Sequence, residues 1–124
     1  MKTIYTKKAP AAIGPYSQGM IAGDFLYSSG QIPLNPENGE IVGTSITEQA
    51  VQVMHNVEAI LGEVNLTFQE VVKTTCFLAD MSDFAEFNQV YEQYFVSKPA
   101  RSCVAVKQLP KDVLCEVEVI AYVS

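Results

Sequence analysis

The stretch VLCEVEVIAYV, residues 113–123, carries the clearest fold signal in the chain, because its alternate residues differ in chemistry. Successive side chains of a β-strand point to opposite faces of a sheet, so the two faces can be analysed separately. We expect one face, which is wholly apolar, to lie under helices: Val113, Cys115, Val117, Val119, Ala121 and Val123. The other face mixes apolar bulk with acids: Leu114, Glu116, Glu118, Ile120 and Tyr122.

Two helices are predicted before this strand. From Thr47 to Glu63 apolar residues recur every three or four positions, and Ser45 with Glu48 resembles a capping box. A second helix opens at Asp83, and its predicted buried face is rich in aromatic residues: Phe84, Phe87, Val90, Tyr91, Tyr94 and Phe95. Two helices can cover only one side of a sheet, so the mixed face of 113–123 is either exposed to solvent or buried against another subunit. Its leucine, isoleucine and tyrosine favour docking, and hence a homo-oligomer.

Further strands are predicted from alternating patterns bounded by turn signals: residues 2–6, 17–22, 25–30, 71–79 and 101–108. Gly23 with Asp24 is a plausible hairpin turn between the second and third strands. The order β-β-β-α-β-α-β-β predicts a single α/β (α+β) domain over residues 1–124. Its mixed sheet would carry two helices on one face.

The last two strands are expected to form a hairpin around the turn LPKD. Arg101 would then oppose Ile120, and Cys103 would oppose Glu118. That register puts four functional groups on the face away from the helices: Arg101, Cys103, Glu116 and Glu118. A guanidinium, a thiol and two carboxylates on a surface expected to meet a partner predict a ligand site there.

Composition limits the class of protein. A chain of 124 residues, 48% apolar and 18% charged, is expected to fold as one compact soluble domain. No apolar run approaches the ~20 residues of a membrane span, and no secretory pattern is visible. Three cysteines without a CxxC spacing favour free thiols in the cytoplasm.

Charge and histidine content argue against several functions. The formal net charge is −6, and the lysines at 2, 7 and 8 form the only basic cluster, so a nucleic-acid partner is not expected. The single histidine, His55, argues against a His-rich metal site and a His-based catalytic triad.

Five segments carry a resemblance to a known family: IGPYSQG (13–19), LYSSGQIPLNPENGEIVG (26–43), NVEAIL (56–61), VVKTTCFLADMSDFAEFNQVYEQYF (71–95) and PARSCVAVKQLPKDVLCEVEVIAYV (99–123). In these segments, which span nearly the whole chain, the protein resembles the Rid family of reactive intermediate deaminases. The most specific match is PARSCV followed by LPKD and an E-x-E-x-I-A strand.

The resemblance implies a chorismate-mutase-like fold and a homotrimer around a central β-barrel, with three sites in the clefts between subunits. It also implies hydrolysis of 2-iminobutanoate and 2-iminopropanoate, released by threonine and serine dehydratases, to 2-oxo acids and ammonia. The ligands would thus be small 2-imino and 2-oxo carboxylic acids, and neither a cofactor nor a metal is implied.

Site residues carried over from the resemblance have separate roles. Arg101 would bind the substrate carboxylate, while Glu116 and the backbone of Cys103 would hold the attacking water. Other residues would line the cleft: Tyr16, Ser29, Gly30, Asn88 and Ser102. The chain departs from the family in a short 96–99 connection, in Lys98 where an apolar residue is often found, and in Ala105 where glutamate is common.

Residue chemistry alone leaves alternatives open. The guanidinium of Arg101 can bind the carboxylate of a ligand through two parallel hydrogen bonds, but it can equally form a structural salt bridge with Glu116 or Glu118. Without the family, neither acid ranks above the other as a general acid–base. A nucleophilic cysteine usually needs an activating base such as histidine, and the only histidine, His55, lies on the first predicted helix, so a packing thiol is favoured for Cys103 over a nucleophile.

Two other functions compete with imine hydrolysis. One is a non-catalytic trimer that binds 2-oxo acids and regulates amino-acid metabolism. Retained oxo-acid binding without turnover would favour that function. The other is a ribonuclease that inhibits translation, against which the net charge and the lack of a histidine pair weigh.

Overall fold

The computed structural model describes residues 1–123, and these form strands and helices in the predicted order. The elements are β1 (Lys2–Ile4), β2 (Gly19–Ala22), β3 (Phe25–Ser28), α1 (Ile46–Glu63), β4 (Val71–Leu78), α2 (Phe84–Tyr94), β5 (Ala100–Ala105) and β6 (Cys115–Tyr122). The predicted hairpin of β2 and β3 turns at Gly23, whose φ of 62° favours glycine. The α+β class is confirmed.

The strands form one mixed sheet in the order β1-β2-β3-β6-β4-β5. Neighbouring strands are antiparallel except β4 and β5, which are parallel. A parallel pair requires a crossover connection, and α2 provides it. The last strand of the chain, β6, inserts between β3 and β4 and so lies inside the sheet.

The predicted hairpin of 101–108 with 113–123 is wrong. β5 pairs with β4, and β4 separates it from β6. The connection 106–114 therefore carries the chain past β4, and hydrogen bonds from Val106 N–H to Leu78 O (2.9 Å) and from Ala79 N–H to Leu114 O (3.0 Å) hold it there. Local turn residues cannot reveal that another strand is inserted, because strand pairing depends on distant parts of the chain.

The expectation that four functional groups share one face is also wrong. Arg101 pairs with Thr74, which in turn pairs with Val119, and both of these partners are buried under the helices. Paired residues point to the same side of a sheet, so Arg101 points towards the helices. The four residues divide between the faces: Arg101 and Cys103 towards the helices, Glu116 and Glu118 away from them.

Packing on the helix side follows the sequence prediction. Ser45 Oγ accepts from Glu48 N–H at 3.1 Å and Glu48 Oε1 accepts from Ser45 N–H at 3.2 Å, which confirms the capping box of α1. The apolar face of β6 is buried from Val113 to Ala121, and the aromatic face of α2 buries Phe87. Both helices pack on this one side of the sheet.

The mixed face of the sheet stays open in the single chain. Tyr27 is 46% exposed, Tyr122 is 44% exposed and Val104 is 47% exposed, and all of them lie on the side away from the helices. Neither helix within residues 1–123 combines the length and hydrophobicity that crossing a bilayer would require. The three cysteines are free thiols, as predicted.

Candidate active site

Arg101 lies on the edge strand β5 and extends its guanidinium over α2. Its Nη1 donates a hydrogen bond to Oδ1 of Asn88 at 2.6 Å. Its Cζ lies 4.7 Å from the ring centroid of Tyr91 and 5.5 Å from that of Phe84, both within cation–π range. Arg101, Asn88 and Tyr91 line a cavity of about 640 Å³. We call the following four residues the arginine half-site: Asn88, Tyr91, Lys98 and Arg101.

Local structure explains why these side chains meet. Asn88 and Tyr91 are three residues apart on α2, so they lie on the same face of the helix. The chain then turns into β5 through Lys98, whose φ is 52° and whose N–H donates to Phe95 O at 3.1 Å. Lys98, where the resemblance implied an apolar residue, adds a second positive charge to the cavity. Glu92 also lines the cavity and offsets part of that charge.

Glu116 lies on β6 and faces a second cavity, of about 360 Å³, on the side away from the helices. Three of the residues carried over from the resemblance line the same cavity. We call this group the glutamate half-site: Tyr16, Ser29, Gly30 and Glu116. Tyr16 is 54% exposed, so its ring forms part of the open wall.

Gly30 and Ser29 shape the glutamate half-site through their backbones. A Cβ on residue 30 would collide with the carboxylate of Glu116, so only glycine allows this close approach. Ser29 Oγ donates to Ser17 O at 2.5 Å, and Ser29 N–H donates to Gln18 O at 2.9 Å. The hydroxyl of Ser29 thus holds the loop that carries Tyr16.

Two buried amide side chains that sequence reasoning missed hold the loops of the glutamate half-site. Gln18 Nε2 donates to three backbone carbonyls within residues 6–10 at 2.8 to 3.3 Å. Asn56 Nδ2, from α1, donates to the carbonyls of Ile32 and Leu34 at 3.0 Å each.

The environment of Glu116 suits proton transfer. Burial raises the pKa of its carboxyl group, and the negative charge of Glu118 raises it further. The side chain is half-buried. A carboxyl group whose pKa is shifted towards neutrality can accept and return a proton during one reaction. The cavity separates the two acids, which residue chemistry alone could not do, because Glu116 lines it and Glu118 is not among its lining residues.

Cys103 does not have the environment of a nucleophile. Burial raises the pKa of its thiol, although the charge of Arg101 and a hydrogen bond with Cys76 oppose that rise. The only histidine, His55, lies exposed on α1 and meets the ring of Tyr94 edge-on. Ser102 points to the open face of the sheet, opposite to its neighbour Arg101, so the two side chains do not converge.

The arginine and glutamate half-sites lie on opposite sides of the same sheet. Strand β4 separates β5 from β6, so a small ligand bound to Arg101 cannot reach Glu116 of the same chain. Within residues 1–123, no cluster of His, Cys, Asp and Glu side chains is arranged to hold a metal ion. Each half-site is chemically incomplete by itself, since one offers cations and an amide and the other a carboxyl group.

Known proteins resemble the chain over its whole length. It is 59% identical to a putative regulator, AldR, of Lactococcus lactis, covering 100% of this chain and 99% of the relative. It is 50% identical to the 2-iminobutanoate/2-iminopropanoate deaminase of Escherichia coli, covering 97% and 96%. The crystal structure of E. coli TdcF with bound serine superposes with a TM-score of 0.94 at 44% identity, covering 100% of both chains.

A sequence model also identifies the family. The model described as Endoribonuclease L-PSP matches residues 6–123, which include every residue of both half-sites. The fold of the solved relatives is the same mixed sheet carrying two helices. This chain therefore belongs to the Endoribonuclease L-PSP family, which is the Rid family.

Proposed function

We propose that the protein is an enamine/imine deaminase that hydrolyses 2-iminobutanoate and 2-iminopropanoate. The observation that carries the proposal is the pair of half-sites, whose chemistry is complementary although they lie on opposite faces of one sheet. The arginine half-site offers a guanidinium for a substrate carboxylate. The glutamate half-site offers a carboxyl group with a raised pKa for moving protons.

A second copy of the chain would complete the site. The open face of the sheet exposes apolar side chains around β6, and such a surface suits burial against another subunit. In a closed ring of three copies, Arg101 and Asn88 of one copy would face Tyr16, Gly30 and Glu116 of the next. Light scattering should then give a mass near three times 13.6 kDa. A persistent monomer would contradict this arrangement.

The chemistry needs one carboxyl group and one positioned water. Water adds to the carbon of the protonated imine, and Glu116 accepts the proton that the water loses. Glu116 then returns a proton to the amino nitrogen of the carbinolamine. The C–N bond breaks and releases ammonia while Glu116 accepts the hydroxyl proton, and transfer of that proton from Glu116 to ammonia leaves the 2-oxo acid and ammonium. General acid–base catalysis of this kind contributes ~10²- to 10⁴-fold.

Two relatives support the small-molecule part of the proposal. The E. coli relative is named for this deaminase activity, and TdcF was crystallised with serine. Serine, like the proposed substrates, is a small molecule with a carboxylate next to a nitrogen-bearing carbon. The backbone of Cys103 would help to place the water, while its thiol would take no covalent part.

A coupled assay tests the proposal. Threonine dehydratase with threonine releases 2-aminocrotonate, which tautomerises to 2-iminobutanoate, and the appearance of 2-oxobutanoate is followed with and without this protein. We expect the protein to accelerate that step above the spontaneous rate. No acceleration at micromolar protein would contradict the proposed activity.

A regulatory function is the second candidate, because the relative at 59% identity is named a putative regulator. Such a protein would bind 2-oxo acids in the same site without turnover. Calorimetry with 2-oxobutanoate, run beside the coupled assay, separates the two functions. The family description as an endoribonuclease finds less support, since the net charge of −6 opposes RNA binding.

A further inference from the structure

A pair of buried hydroxyl groups lies beneath the arginine half-site. Thr74 Oγ1 and the phenol oxygen of Tyr91 are 2.7 Å apart and hydrogen-bonded. Thr74 is 0% exposed and Tyr91 is 8% exposed. The neighbours of the pair are apolar or weakly polar, and they include Cys76 and Phe87. The two hydroxyls therefore satisfy each other.

These two residues and Arg101 form a closed set of contacts. Thr74 is the in-register strand neighbour of Arg101. Its hydroxyl bonds Tyr91, and the ring of Tyr91 lies 4.7 Å below the guanidinium of Arg101. Thr74 therefore contacts both the strand that carries Arg101 and the side chain of Tyr91, whose ring lies under the guanidinium. Asn88 adds a hydrogen bond at one edge of the guanidinium, which leaves its other N–H groups for a ligand.

Packing alone does not account for this pair. Valine and phenylalanine would fill nearly the same volumes without any hydrogen-bonding requirement, and an apolar replacement of a buried polar pair is often neutral or stabilising. The hydrogen bond between the two hydroxyls restricts the position and orientation of the Tyr91 ring, and apolar packing alone would not impose that restriction. An arginine that binds a carboxylate through two parallel hydrogen bonds needs such restriction.

We propose that Thr74 and Tyr91 are positioning residues, which orient the guanidinium of Arg101 for the substrate carboxylate. The inference rests on the proposed function, in which Arg101 binds that carboxylate. Neither Thr74 nor the hydroxyl of Tyr91 touches the substrate, so both act through Arg101. Their effect should therefore fall on the affinity for carboxylate ligands and on KM more than on kcat.

Three variants test the proposal: Thr74→Val, Tyr91→Phe and the double variant. Thr74→Val leaves the phenol of Tyr91 without its partner, and Tyr91→Phe leaves the hydroxyl of Thr74 with only the long contact from Cys76 Sγ at 4.0 Å, whereas the double variant removes both hydroxyls. Tyr94→Phe is the matched control, since it removes a phenol hydroxyl from the same helix but away from Arg101. Calorimetry measures the affinity for 2-oxobutanoate and for its uncharged amide, and melting temperature is recorded for every variant.

We expect the double variant to recover the melting temperature of the unaltered protein but to bind 2-oxobutanoate roughly 5- to 50-fold more weakly, because the ring is no longer oriented. The affinity for the amide and the kcat should change little. If carboxylate affinity instead recovers together with the melting temperature, the pair is purely structural and the proposal is wrong. Unchanged affinity in all three variants would overturn it equally.

The failure of the proposed function can be recognised separately. Nuclear magnetic resonance of the ¹⁵N-labelled arginine side chain reports how fast the Arg101 guanidinium rotates without any ligand. Faster rotation in the double variant than in the Tyr94→Phe control supports positioning, and equal rotation contradicts it. An unaltered protein that does not accelerate 2-oxobutanoate formation in the coupled assay refutes the proposed function, whatever the rotation measurement shows.

Discussion

The arginine and glutamate half-sites are built in different ways from the same sheet. Arg101 lies on an edge strand, and the helix α2 holds it through Asn88 and Tyr91. Glu116 lies on an inner strand, and irregular loops tied by buried amides cover it. The guanidinium of Arg101 stays exposed to solvent, whereas the carboxyl group of Glu116 is partly removed from water. The difference shows how one sheet can provide a permanent cation on one face and a titratable acid on the other.

The comparison predicts that Glu116 contributes most to the rate. Glu116→Gln keeps the shape of the side chain but cannot accept a proton, so kcat should fall by ~10²- to 10⁴-fold in the coupled assay. Glu118→Gln, two residues along the same face, is the matched control and should retain most of the rate. Equal losses of kcat in the two variants would contradict the assignment of Glu116 as the residue that moves the proton.

Arg101→Ala should have the next largest effect, on the other half-site. Losing one partner of a charge-assisted pair should lower kcat/KM roughly 30- to several-thousand-fold. Arg101→Lys keeps the charge without the fork and should recover only part of the loss. Lys107→Ala, which removes an exposed cation beyond β5, serves as the control. A folded Arg101→Ala oligomer with full activity would exclude carboxylate binding by this residue.

Mixing the two inactive variants tests whether the half-sites meet between copies. After subunit exchange between Arg101→Ala and Glu116→Gln, about a quarter of the intersubunit sites in a cyclic oligomer should contain both functional residues. Activity should therefore return to about a quarter of that of the unaltered protein. If both residues acted within one chain, mixing would restore nothing.

The raised pKa of Glu116 predicts the direction of the pH dependence. Catalysis needs the carboxylate form, so the rate should fall as acid protonates Glu116. Because Glu118 contributes to raising the pKa, Glu118→Gln should move that acid limb to lower pH. The folded protein favours the protonated form of Glu116. The stabilisation that this gives is present below the pKa of the unfolded state and is lost as pH rises through the pKa of the folded state. Glu116→Gln should accordingly raise the melting temperature at pH 7 and leave it unchanged near pH 4.

Cys103→Ser should have the smallest effect. Burial raises the pKa of the thiol, so the protein carries little thiolate near neutrality, and serine keeps the backbone carbonyl. We expect less than about a threefold change in kcat/KM, measured in the coupled assay. A loss as deep as that of Arg101→Ala would instead point to covalent catalysis by Cys103.

Much of the local structure could be predicted because it depends on short-range patterns. The capping box of Ser45 and Glu48, the turn at Gly23 and the buried face of β6 all follow from residues near each other in the chain. The resemblance named all the residues of the glutamate half-site, and it named Asn88 and Arg101 of the arginine half-site, but it did not name Tyr91 or Lys98 as site residues. Gln18 and Asn56 were missed, because a buried amide has meaning only when the carbonyls of distant loops are in place.

The sequence by itself determined the order of the elements, the apolar side of the sheet and the residue types available for chemistry. Only the tertiary structure decided that β4 lies between β5 and β6, and therefore that Arg101 and Glu116 point to opposite faces. The physical reason is that alternation along a strand is a local property, which hydrophobic patterning reveals. The choice of neighbouring strand instead depends on the crossover through α2, and contacts between distant parts of the chain leave little trace in the local pattern.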